Sequence, residues 1–322
     1  MNPAAPTLRV RTILVPTDRS ACAERAYAPA AELAARSGAR VRVVHVSEYG
    51  HPIPAAPAPV TWDDVTRGLH LPLAHTPPGG PILVEEVAAE YASTAGALLA
   101  CARTHGADLI VMGTSGRRGL ARMVLGSVAE EVVRRAECPV LTVPCTDTPA
   151  DGPVLAAVDF SAGSREALRH AKALAAERGV ALHVVHVVDW PTSPPPYLVD
   201  VGLPALPDLL ARAEADLDAF VAEEPGLDVV TSVRLRVGSL AAYILVEVAE
   251  EIGAGLIVIS THGRTGMNRL LMGSVAERIV RTAPCPVLTV RPEGPGLLAR
   301  GAGDGVEAVG DGADPAVVFR TG

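Results

Sequence analysis

At 322 residues the chain is long enough for two domains, and with 49% apolar residues each half can bury a core. Aromatic residues make up only 3%, so that core must come from Val, Leu, Ile and Ala, and a base-stacking platform for single-stranded nucleic acid is disfavoured. A net charge of −8 argues against a nucleic-acid partner but not against ATP, because a few oriented backbone N–H groups can hold a phosphate without net positive charge.

In chain order, residues 8–15 read as a strand, 20–37 as a helix and 41–46 as a second strand. Residues 49–81 are rich in proline and read as an irregular loop, with at most a short turn at Trp62–Arg67. Residues 82–105 fit either a strand–helix pair or one long helix. The buried strand DLIVM, a helix from Ser127 and a strand at Val140–Val143 complete the first half. The second half opens with VLAAV at 154–158. A helix over 164–178 then places Ala167, Leu168, Ala171, Leu174 and Ala175 on one face, with Gly179 as its stop. A strand at 181–188, a Pro-rich loop, a helix at 207–224, a strand at 227–237 and a helix at 239–252 follow. A strand at 255–259, a helix from Ser274 and a strand at 286–290 end the unit, and 293–322 reads as a disordered tail. Alternating strands and helices imply an α/β protein with two doubly wound parallel-sheet domains, over 1–147 and 148–292, each with five strands and about four helices.

An internal repeat supports the duplication. Residues 107–144 match 254–291 without a gap at more than half of the positions, and the segment around Asp18 and Ser20 matches that around Asp159 and Ser161 more weakly. A period this long marks duplicated domains rather than a solenoid. The duplication predicts a domain–domain pseudo-dimer and leaves a homodimer open. Its last strands are apolar edges that need cover, and pairing them would provide it.

Five cysteines, Cys22, Cys101, Cys138, Cys145 and Cys285, form no C-x-x-C pair. The odd count fits reduced thiols better than a disulfide framework, and no zinc spacing appears. Without a signal-like apolar stretch or a run of about 20 apolar residues, the expectation is a cytoplasmic protein with no membrane partner.

The chemistry concentrates in one loop type. In the first half the strand ends in Gly113-x-x-Gly116, then nine residues, then Gly126-Ser127; the second half has Ser260-x-x-Gly263, nine residues, then Gly273-Ser274. Glycines there permit φ > 0 and close backbone approach, and a new helix offers N–H groups to a polyanion. Ser127-Val128-Ala129-Glu130 and Ser274-Val275-Ala276-Glu277 also read as S-x-x-E capping boxes, so each serine can serve as N-cap, as phosphate donor or as both. His45 and His186 read as satisfied strand histidines. His262 could approach phosphate, Arg117, Arg118, Arg264 and Arg269 read equally as phosphate contacts or as solvated surface, and no triad spacing, P-loop or H-E-x-x-H appears.

The glycine pattern, the V-A-E helix, the CPVL strand, and Pro16-Thr17-Asp18-Arg19-Ser20 with Val158-Asp159-Phe160-Ser161 together resemble universal stress proteins. The resemblance covers about 8–145 and 152–291. It implies an adenine nucleotide alpha hydrolase-like fold with the ligand at the switch point. Carried over by position, it places Ala157, Val158, Asp159, Val187, Gly238, Ser260, Gly263, Gly273, Ser274 and Val275 at a nucleotide site in the second domain. In the first domain the same places fall to Pro16, Thr17, Asp18, Val46, Gly113, Gly116, Gly126, Ser127 and Val128. The implied ligand is ATP or another adenine nucleotide, with Mg2+ carried by the phosphates and no metal ligand from protein side chains. Each copy departs once: Ser260 replaces the first glycine, narrowing the choice of φ, and Glu90-Tyr91-Ala92 stands where the second copy has Val237-Gly238. The second copy is therefore the better site. The implied role is stress regulation with at most slow hydrolysis and no catalytic residue. Alternatives are a protein with degenerate sites acting through protein contacts, and an adenylyl-transferring enzyme.

Overall fold

The computed structural model describes residues 8–47, 82–88, 93–116, 125–146, 148, 151–189, 206–224, 231–263, 272–292 and 296–298. Among the described residues ten strands form one sheet. The first half contributes β1 (Thr12–Thr17), β2 (Arg40–Ser47), β3 (Ile82–Ala88), β4 (Leu109–Gly113) and β5 (Val140–Val143). The second contributes β6 (Val154–Val158), β7 (Leu182–Val188), β8 (Thr231–Val237), β9 (Leu256–Ser260) and β10 (Val287–Val290). The order is β3-β2-β1-β4-β5-β10-β9-β6-β7-β8. Within each half all pairings are parallel, and the order reverses beside β1 and beside β6. These are the switch points at which an open α/β sheet leaves a crevice.

The helices divide between two faces. One apolar cluster joins β1, β2, β6 and β7 to α2 (Tyr27–Ser37), α5 (Ala162–Arg178) and α6 (Leu206–Glu223), and the short α1 (Ala21–Glu24) packs on β1 and β4. The other packs α3 (Thr94–Thr104), α4 (Ser127–Arg135), α7 (Ala241–Glu251) and α8 (Ser274–Thr282) on the reverse face. Ala167, Leu168, Ala171, Leu174 and Ala175 are all buried, and Gly179 stops α5 with φ 66°. Residues 82–105 resolve into β3 and α3. The continuous helix expected over 20–37 is instead broken after Glu24 into α1 and α2. The Pro-rich 49–81 loop lies outside the described residues.

The two halves meet through β5 and β10, which pair antiparallel with Leu141 opposite Leu288. Thr142 donates to the Val287 carbonyl at 3.2 Å and Thr289 to the Val140 carbonyl at 3.1 Å. The hydroxyls are buried, so each needs this partner. Contacts bracket the seam on both faces: Arg36 donates to the Glu177 carbonyl, and Arg281 approaches Glu130 at 3.9 Å. The expected pairing of the two apolar last strands is what the structure contains.

Two expectations need correction. Cys22 and Cys145 form a disulfide, with Cα atoms 4.7 Å apart across a sequence separation of 123, whereas Cys101, Cys138 and Cys285 are buried thiols. Sequence spacing could not show this, because the pair meets only once the chain leaving β5 closes on α1. The start of the tail is also docked. Leu297 and Leu298 are buried, Leu298 bridges to Leu8, and the Leu297 N–H donates to His170 Nε2 at 2.9 Å. Apolar area gained by two leucines holds the segment.

Candidate functional site

The second-domain site grows from the end of β6. Asp159 follows Val158, and its Oδ1 accepts the Ser161 N–H at 3.0 Å; the Ser161 hydroxyl caps α5 by accepting the Ser164 N–H. Phe160 between them is left-handed, with φ 65°. An Asp side chain bonding two residues on holds such a turn, although φ > 0 is costly for Phe. The first domain repeats the construction: Arg19 has φ 62°, Asp18 Oδ1 accepts the Ser20 N–H, and Ser20 caps α1. Beneath each turn a histidine bonds the strand end. His186 Nδ1 lies 2.8 Å from the Val158 carbonyl, and His45 Nδ1 lies 2.8 Å from that of Thr17. Both are satisfied strand histidines, as the sequence pattern predicts.

The glycine loop reaches back to the aspartate. A Cβ on Gly263 would lie 2.6 Å from Asp159 Oδ2, and one on Gly116 would lie 2.6 Å from Asp18 Oδ2. Any other residue would push the carboxylate aside, so these glycines serve close approach. None of Gly113, Gly116, Gly126, Gly263 and Gly273 has positive φ, and the φ > 0 rationale is corrected accordingly. Arg117, Arg118, Arg264 and Arg269 lie outside the described residues, as does Glu90-Tyr91-Ala92. His262 lies in the described part of the loop, where Thr261 Oγ1 and its Nδ1 are 2.9 Å apart.

Ser260 does not narrow the backbone; it is part of a steric exchange. In the first domain a Cβ on Gly113 would stand 2.7 Å from the Cys22 carbonyl oxygen. At the corresponding place in the second domain the helix carries Gly163, whose Cβ would stand 2.2 Å from Ser260 Oγ. One partner of each strand–helix contact is glycine, and the two domains choose opposite partners. The space allows Ser260 Oγ to donate to the His262 carbonyl at 2.9 Å and to accept the His262 N–H at 3.2 Å, pinning the first turn of the loop.

The helix starts also differ from the capping-box reading. The N-caps are Gly126 (φ −67°, ψ 145°) and Gly273 (φ −62°, ψ 142°), with no side-chain cap bond. Ser127 and Ser274 are the first helical residues and are exposed. The Gly273 N–H donates to the Thr261 carbonyl at 2.9 Å, and the Gly126 N–H to that of Thr114 at 2.8 Å. The first-turn N–H groups of Ser274 and Val275, and of Ser127 and Val128, have no intrahelical acceptor and point out of the helix start.

The remaining sequence-derived residues fall on the same rim. Ala157 and Val158 end β6, Val187 lies one step beyond the Val158–His186 pair, and the Gly238 N–H donates to the Val188 carbonyl at 3.1 Å. Pro16 and Thr17 end β1 beside Val46 of β2. Missed by sequence reasoning was a ring group beside the second site: Phe160 lies 4.3 Å from the His186 ring and 5.6 Å from the Phe220 ring, with Arg165 over Phe220.

The sequence model of the Universal stress protein family matches the chain twice, over residues 9–144 and 152–291. The chain belongs to the universal stress protein family. A universal stress protein of Mycobacterium tuberculosis is 36% identical over 193 residues, which span 58% of this chain and 62% of that relative's length. One from Methanocaldococcus jannaschii is 38% identical over 142 residues, or 41% of this chain and 78% of the relative. A putative universal stress protein of Pseudomonas aeruginosa superposes with TM-score 0.61 at 20% identity, covering 88% of this chain and 93% of that one. A universal stress protein of Archaeoglobus fulgidus gives TM-score 0.58 at 19% identity, covering 87% and 98%. These likenesses show the fold. Among the described residues no helix is long and apolar enough to cross a membrane.

Proposed function

We propose that the second domain binds an adenine nucleotide, with ATP and its phosphate-borne Mg2+ as the leading ligand, and that occupancy regulates the protein's role as a universal stress protein. The observation that carries this reading is the cradle at the switch point. Asp159 and Gly263 are in contact there, and α8 starts with a glycine N-cap and no side-chain cap. Asp159 suits the ribose hydroxyls, and the Val187 backbone suits the adenine edge. The amides of Ser274 and Val275, with the Ser274 hydroxyl, suit the phosphates. Mg2+ supplies charge neutralisation on the phosphates and needs no cage of protein carboxylates. The first domain offers the same parts from Asp18, Gly116, Gly126, Ser127 and Val128.

The role is regulatory binding, with no residue assigned to bond-breaking. Titration calorimetry of the full chain with Mg-ATP, together with mass spectrometry of nucleotide released from freshly purified protein, tests it. Saturable binding supports the proposal; no heat and no thermal stabilisation at millimolar ATP would refute it.

A further inference from the structure

The two domains hold the entry of their glycine loops differently. In the second, the Ser260 hydroxyl bonds both the N–H and the carbonyl of His262. The first domain has Gly113 at this position and so lacks that hydroxyl. What it has instead is the Cys22–Cys145 bond. Cys22 belongs to α1, which starts from the Asp18–Ser20 turn, and its carbonyl lies against Gly113. Cys145 lies just beyond β5, where the Val143 carbonyl accepts the Thr114 N–H at 3.0 Å, and its Sγ is 3.8 Å from Thr114 Oγ1. The bond therefore joins the chain segments on either side of Gly113–Thr114. The equivalent places in the second domain are Gly163 and Pro292, which cannot be bridged.

We propose that Cys22–Cys145 is a reversible redox clamp that holds the entry of the first glycine loop, so that the first domain binds its ligand more tightly when oxidised. The second domain is held permanently by Ser260. The consequence for the ligand rests on the nucleotide reading above; the clamp itself does not. The chemistry is exchange with a low-molecular-weight disulfide. The exposed Cys145 attacks it as the thiolate and releases one small thiol, leaving a mixed disulfide. The Cys22 thiolate then attacks the Cys145 sulfur and releases the second. Two protein S–H bonds are lost, one protein S–S bond forms, and the small disulfide is reduced to two thiols that carry the protons. The other cysteines do not compete, because all three are buried, and burial pushes the Cys138 and Cys285 thiols up to about 12.

The experiment treats the full chain with glutathione disulfide or with dithiothreitol and maps the thiols by peptide mass spectrometry. Hydrogen exchange of the peptides covering 113–116 and 260–263 is then compared in the two states. The expected result is a Cys22–Cys145 linkage that dithiothreitol removes. Exchange at 113–116 should be at least tenfold slower when oxidised, with 260–263 unchanged, and Cys145→Ser should abolish the difference. In a Gly273→Asp background, where the second site is disabled, Mg-ATP should bind at least tenfold more tightly to the oxidised protein. Failure of the linkage to form, or equal exchange at 113–116 in both states, would overturn the clamp. If exchange changes but ATP binds in neither state and to neither domain, the clamp stands and the nucleotide reading falls.

Discussion

Replacing Gly273 with aspartate separates a phosphate cradle from a simple strand-to-helix turn. Gly273 has ordinary φ and ψ, and a Cβ there would stand 3.5 Å from the Thr261 carbonyl oxygen, a normal contact. Aspartate therefore fits without backbone strain. It occupies an N-cap, where replacing glycine should gain a few tenths of a kcal/mol, and its charge at the helix start adds about 0.3–1 kcal/mol. The unliganded protein should melt at the same temperature or up to a few degrees higher, at roughly 2–4 °C per kcal/mol for a domain of this size. The ligand meets the opposite effect. The new carboxylate accepts the first-turn N–H groups that a phosphate would use, and each charged hydrogen bond lost costs about 1.5–3 kcal/mol. Repulsion between carboxylate and phosphate at ~4 Å adds up to about 4 kcal/mol at an effective dielectric of ~20, less where solvent screens it. Affinity at the second site should fall at least a hundredfold. Calorimetry with Mg-ATP and thermal denaturation without it measure the two effects separately. Unchanged affinity would refute the cradle, and a melting point several degrees lower would refute the assigned cap geometry.

Ser274→Ala should leave stability within about 0.5 kcal/mol, because the exposed side chain makes no cap bond, while ATP affinity falls several-fold; calorimetry and melting curves read both. Gly163→Ala drives a Cβ toward Ser260 Oγ and the His262 carbonyl, so it should cost about 1–3 kcal/mol in chemical denaturation. Adding Ser260→Gly should restore more than half of that, and purely additive losses would disprove the exchange of glycines between strand and helix. His170 is buried, and its Nε2 accepts the Leu297 N–H, so it must be unprotonated there; burial lowers its pKa despite Glu166 at 3.4 Å, and Arg169 lowers it further. With the folded pKa below the ordinary 6.5, this contribution is complete above that pH and is lost as pH falls below it, by at most about 1.4 kcal/mol per pH unit. His170→Gln keeps an acceptor without titrating. It should flatten the melting temperature between pH 7.5 and 5.5, and an unchanged slope would exclude His170 as the source.

The repeat made most of the fold legible. Matched strands at 140–143 and 287–290 had to be covered, and pairing them antiparallel does so. The resemblance to universal stress proteins implies that Asp159 and Gly263 share one site, and the structure has the strand end and the glycine loop in contact there. Less visible were features decided by side-chain volume across the fold. Ser260 looked like a defect until Gly163, about 100 residues earlier, supplied the missing space. The S-x-x-E spacing suggested serine caps, yet the chain enters each helix one residue earlier, since the Gly126 and Gly273 N–H groups are held by Thr114 and Thr261. Cys22 and Cys145 become neighbours only through tertiary closure. The docking of Leu297 depends on a histidine whose ring faces a segment read as disordered.

The antiparallel seam fixes how the two sites relate. Strands of the two halves run in opposite directions, so their carboxyl ends lie along opposite rims of one sheet. The candidate sites are back to back rather than face to face. No single small molecule can bridge them, and a partner that covers one rim leaves the other reachable. On the nucleotide reading proposed above, the chain presents two inputs on opposite rims, each open to a different listener.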